Sequence, residues 1–160
     1  MPNPLGSCVI SNPNGSVPAD LYENTGIVRS AEYAPFTKSL TVAGIVLVAD
    51  NSVSDAFMNR VGSLIEEMFD ENGDGIDQDK QAEVIRAMYE RKTVIPLFKG
   101  SVNSSNFEAL EGSYSMCDII TEFSSGNTES QVMEVVEHIL HSVTMVGLHY
   151  AYYDEWGVSK

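Results

Sequence analysis

The sequence predicts an α+β domain, with a mixed α/β arrangement as its close variant. Three observations carry this. Residues 40–49 form a β-branched apolar run of strand length, and residues 94–98 form a second, shorter one. Three further stretches, 55–69, 82–92 and 129–148, repeat their apolar residues at helical spacing. Strands and helices that each carry an apolar face must cover one another, which gives a small sheet backed by helices. At 160 residues the chain suits one hydrophobic core. We divide it into an extended N-terminal arm, 1–38, and a single globular domain, 39–160.

The arm holds most of the prolines, in Asn-Pro, Pro-Asn-Gly and Ala-Pro signals, and shows no sustained period. The run 40–49 follows as one strand; being apolar on both faces, it belongs at the centre of its sheet. Ser52 and Asp55 have the spacing of a variant capping box, and the helix behind them gathers Phe57, Val61, Leu64, Ile65 and Met68 on one face before ending at Phe69. An acidic stretch, 70–79, separates it from the helix at 82–92, which presents Val84, Ile85, Met88 and Tyr89. Pro96 marks the 94–98 strand as an edge or a strand end. Residues 99–128 are rich in Ser, Gly and Asn and read as connection, with a strand or helical turn around Met116-Cys-Asp-Ile-Ile120. Thr128 or Ser130 caps the last helix and Gly147 lies near its end. Tyr150, Tyr152, Tyr153 and Trp156 then crowd the tail, where anchoring the C-terminus is the expected use and lining a ligand pocket the alternative.

Composition narrows the function. The chain is 43% apolar and 20% charged, a globular balance. Its net charge of −14 repels phosphate backbones, so nucleic acid is not an expected partner, whereas cations and basic surfaces are; the alternative is that the acidic excess only keeps the protein in solution. No apolar run reaches the length of a membrane span. Met1-Pro-Asn-Pro-Leu5 lacks the basic start and apolar run of a signal peptide. Cys8 and Cys117 allow either two buried thiols or one long-range disulfide, which would contribute on the order of 4–5 kcal/mol in the chain-entropy account. There is no Gly-x-Ser-x-Gly, phosphate loop or dinucleotide fingerprint.

Two stretches carry chemistry. In the first, Asp70, Asn72 and Asp74 alternate and Gly75 follows. Short oxygen-bearing side chains two residues apart converge on one ion, and glycine permits the sharp turn between them. This resembles the start of an EF-hand or dockerin-type calcium loop, which implies a structural calcium between two helices. The closing bidentate acid of that family is replaced by Gln81, so Asp77 and Asp79 are the expected remaining ligands. The competing reading is a solvated acidic turn in which Asp77 or Asp79 caps the next helix.

In the second stretch all three histidines fall on the last helix. At about 100° per residue, Val132, Val135, Val136, Ile139, Val143 and Val146 form one stripe, opposite Glu134, Glu137, His138, His141 and His149. Glu134 with His138 and Glu137 with His141 are i, i+4 pairs, and His138 with His141 is an i, i+3 pair, so these groups can meet. An ordinary solvated face is the alternative. Glu137-His138-Ile-Leu-His141 resembles the helix motif of zincin metallopeptidases with its first two residues exchanged, which implies zinc or another divalent transition metal. The metal ligands would come from Glu134, His138, His141 and His149, and Glu137 and His138 would carry the catalytic step. The resulting expectation is a secreted, calcium-stabilised, metal-dependent hydrolase-like domain, with metal ions and a peptide or protein as candidate partners. A non-enzymatic calcium-binding interaction or assembly module is the alternative.

Overall fold

In the computed structural model, which describes residues 8, 10–69, 77–124 and 128–156, one mixed five-stranded sheet forms the frame. Its strands run in the order β1 (Val28–Arg29), β2 (Lys38–Val42), β3 (Ile45–Ala49), β4 (Thr93–Lys99) and β5 (Ile120–Glu122). The first three are antiparallel neighbours, and β3, β4 and β5 are parallel. The helices are α1 (Asp55–Met68), α2 (Gln78–Glu90), the short α3 (Ser104–Glu108) and α4 (Thr128–Ser142). A π-helical stretch (Val143–Leu148) continues α4 into α5 (His149–Ala151), and α6 (Tyr153–Trp156) follows. The α+β expectation and the long C-terminal helix both hold.

The apolar run at 40–49 is a hairpin and not one strand. Val42 and Ile45 pair across a two-residue turn in which Ala43 and Gly44 both have positive φ, 47° and 84°. That is the turn whose twist matches antiparallel strands. Usually Asn-Gly or Asp-Gly announces it; Ala-Gly does not, and so the sequence reads as continuous. Gly44 is required twice over, since a Cβ there would also stand 2.8 Å from the Ile85 carbonyl oxygen of α2. The run's second half, β3, does occupy the centre of the sheet, and its side chains alternate. Ile45, Leu47 and Ala49 enter the main core beneath α1, α2 and α4, whereas Val46 and Val48 meet Phe36, Phe98, Leu110 and Met116 on the opposite face.

Ser54, and not Ser52, caps α1 by accepting the Phe57 N–H; Ser52 instead binds Asp50. The buried face of α1 is Met58, Val61, Gly62 and Ile65, with Phe57, Leu64 and Met68 on its flanks. Gly62 lets α1 approach β2, where a Cβ would stand 3.0 Å from Leu40 Cδ2. Asp77 caps α2, four residues earlier than periodicity alone indicates: its Oδ1 accepts the N–H groups of Asp79 and Lys80.

Pro96 is interior, because β4 pairs with β3 on one side and with β5 on the other. The reason lies in which side loses a donor. Val94 donates its N–H to Ser115 on the β5 side, 2.9 Å, so residue 96, two further along, would donate on that side too. As proline it cannot. Regular pairing with β5 begins only at Leu97–Ile120, and residues 117–119 lie outside the pairing between these two points. Cys117, within that gap, is joined to Cys8 in a disulfide across 109 residues.

Candidate metal centre

The gap opposite Pro96 delivers Asp118, an acid inside the otherwise apolar run Met116 to Ile120. Its side chain is fully buried. A carboxylate removed from water needs donors, and Asp118 has three. Oδ1 accepts the Ile119 N–H at 2.8 Å, and Oδ2 faces Nδ1 of His138 at 2.6 Å and Nδ1 of His141 at 2.5 Å.

Both imidazoles come from α4, which is fastened to the outer edge of β5. The Gln131 side chain accepts the Phe123 N–H at 2.7 Å and donates to Thr121 O at 3.0 Å, standing in for a sixth strand. Fixed in this way, α4 buries Val135, Ile139 and Ser142. Its outward line is Met133, Glu137 and Leu140; Met133 is 66% and Leu140 48% exposed. The line Glu134, His138, His141 therefore lies on the flank of α4 and is half-buried, not on the solvated face opposite the core.

The outer ring nitrogens point at carboxylates as well. His138 Nε2 stands 3.2 Å from Glu134 Oε1, and His141 Nε2 stands 3.9 Å from Glu137 Oε1, too far for a hydrogen bond. A neutral imidazole has one donor and one acceptor nitrogen, so His138, with a carboxylate at each, is best satisfied as the cation. Its pKa is accordingly raised. The hydrogen bond to Asp118 is the largest cause, partial burial opposes it, and the charges of Asp118 and Glu134 add to the rise.

Asp118, His138 and His141 each offer one ligand atom, all within 4.8 Å of one another, the one such group of three among the described residues. Two imidazoles and a carboxylate suit a borderline transition ion such as zinc. At zinc bond lengths, tetrahedral ligand atoms lie about 3.3 Å apart, so an ion here would spread the present contacts by about 0.7 Å.

Of the residues expected from sequence, His138 and His141 meet. Glu134 and Glu137 stand behind them at the outer nitrogens. His149 does not join: eight residues past His141, it is about 12 Å further along a helix axis. Its ring packs on Tyr150 and Tyr153 at 4.6 and 5.1 Å. Asp118 takes the third position. Asp70, Asn72 and Asp74 lie outside the described residues. Asp77 is engaged as the α2 cap and Asp79 sits in the first turn of that helix. Asp118 was missed by the sequence reading although a signal existed, since a lone acid within an apolar run must find partners. The chain matches no protein-family model, no curated protein and no solved structure.

Proposed function

We propose that the protein is a metal-dependent, hydrolase-like domain whose centre is a divalent transition metal, zinc before others, held by Asp118, His138 and His141. One observation carries this reading: each histidine that turns Nδ1 toward Asp118 has a carboxylate, Glu134 or Glu137, facing its Nε2. Carboxylates behind metal-bound imidazoles fix the ring tautomer and raise ligand basicity. Asp118, His138 and His141 would hold the ion and leave one position open, and the chemistry a bound zinc would supply there is acidification of water toward a neutral pKa. Glu137 and Glu134 then orient the histidines, and His138 is a ligand instead of a proton carrier. A peptide or other acyl substrate is the class that such a water attacks.

Calcium at Asp70, Asn72 and Asp74, aided by Asp79, remains part of the reading on the spacing of those residues. A secreted, oxidising setting is supported by the Cys8–Cys117 bridge.

Elemental analysis tests the proposal. Wild type, dialysed against zinc and calcium and then against buffer, retains about one equivalent of zinc, whereas Asp118→Asn and His141→Ala lose it and keep their calcium. Wild type without a transition metal refutes the centre. Hydrolysis of fluorogenic ester and peptide substrates that follows zinc content then tests the activity. The 2.5 and 2.6 Å contacts favour a second reading, in which the cluster is a proton-bridged clasp in a non-enzymatic module. That reading expects no zinc in any of the three proteins.

A further inference from the structure

We propose that the Cys8–Cys117 disulfide positions Asp118 and makes the metal affinity of the centre dependent on redox state; this rests on the metal reading above. Asp118 follows Cys117 directly, and both lie in the segment that Pro96 keeps off the β4 ladder. Upstream, that segment is fixed where Val94 donates to Ser115 and Ser115 donates to Lys92, 2.9 and 3.0 Å. Downstream it is fixed where Ile120 pairs with Leu97. Residues 117–119 lie outside the strand pairing in between, and the disulfide is the covalent fastener within that stretch.

The other end of the bridge is anchored to the same place. Ser11, three residues after Cys8, donates its N–H to Ser115 Oγ at 2.9 Å and its hydroxyl to Arg91 O at 2.5 Å. The N-terminal arm thus lies along the segment that bears the ligand. Cutting the bridge leaves Asp118 held by its neighbours' backbone and by the two histidines alone. A ligand atom that loses its support loses affinity even though its chemistry is unchanged.

The chemistry is dithiol exchange. Cys117 is 2% exposed and Cys8 is half-buried, so an incoming thiolate attacks the Cys8 sulfur, forming a mixed disulfide and releasing Cys117 as the thiolate, which takes up a proton. The second thiol of the reductant closes its own disulfide and frees Cys8. Two electrons and two protons pass from the dithiol to the protein.

Cobalt(II) titration followed by visible absorption, with zinc competition, tests this on the chelator-stripped full chain. Three samples are compared: oxidised wild type, wild type reduced by a water-soluble phosphine, and C8S/C117S. The expected result is affinity lower by on the order of tenfold in the latter two, with the same ligand-field envelope, because second-sphere supports contribute about 10- to 100-fold. If the disulfide only stabilised the fold, its loss would lower the melting temperature and leave affinity unchanged; equal affinities in cooperatively folded samples therefore overturn the proposal. An intense thiolate-to-cobalt band on reduction overturns it too, since the thiols would then be the ligands. Should C8S/C117S not fold, the reduced wild type below its melting temperature decides. Oxidised wild type that binds no cobalt refutes the metal centre itself and this inference with it, an outcome distinct from equal binding by all three samples.

Discussion

Replacing Asp118 by asparagine tests whether the centre also holds the fold together. The side chain is fully buried and serves three donors at 2.5, 2.6 and 2.8 Å. Asparagine keeps the shape but removes the charge and exchanges one acceptor oxygen for a donor, so either the Ile119 N–H or the two imidazoles, which share Oδ2, lose their acceptor. Removing one member of a buried charged network costs about 3–5 kcal/mol. The histidines are 20% and 25% exposed and can recover some hydration, so the lower end applies, about 3 kcal/mol. For a chain of 160 residues each kcal/mol moves the melting temperature by about 2–4 °C, giving a fall of about 6–12 °C. Urea unfolding in chelator, with the slope compared between variants, measures this free of metal. A loss below about 1 kcal/mol with unchanged slope would refute the reasoning, because Asp118 would then not be the hub that its three donors make it.

Three further outcomes are expected. His138 has a folded pKa above its unfolded value, so its cation stabilises the metal-free fold fully below about pH 6.5 and that contribution is lost as pH rises through the folded pKa. The urea midpoint of wild type in chelator should fall from pH 6 to pH 8.5, and His138→Gln should flatten that fall; parallel profiles would show that the imidazole does not titrate against Asp118. Gly44→Ala combines a positive φ with a Cβ 2.8 Å from the Ile85 carbonyl oxygen and should cost about 2 kcal/mol by urea unfolding, whereas Ala43→Gly, at φ 47°, should be neutral or slightly stabilising. Ser54→Ala removes the α1 cap and the hydroxyl bond to Glu122 and should cost about 1–2 kcal/mol in the same assay.

What the sequence revealed depended on whether a signal was periodic. Helices α1, α2 and α4 were legible because each repeats apolar residues often enough to define a face, and β3 and β4 because β-branched residues crowd them. The hairpin turn was hidden because Ala43-Gly44 carries no polar punctuation. The actual face of α4 was hidden as well: a helical wheel fixes which residues are opposite one another, but not which flank meets the sheet. Gln131 decides that, through backbone groups at Thr121 and Phe123 that no periodicity encodes. His138 and His141 were accordingly found as a pair while the flank that half-buries them was not.

Asp118 shows most clearly why a site can outrun its motif. The helix brings two imidazoles together by local spacing, but the acid that joins them comes from a segment whose path is set by what β4 lacks. With an N–H at residue 96, β5 could pair with β4 from Ser115 onward, and Asp118 would be an ordinary strand residue between Cys117 and Ile119. Proline suppresses that pairing, Cys8 fixes the released segment, and the acid reaches the flank of α4. The same logic explains why His149 is a poor third ligand despite lying on the same helix. Ligands on one helix converge only within a turn or so, whereas a segment crossing beside that helix can place an oxygen between two imidazoles one turn apart.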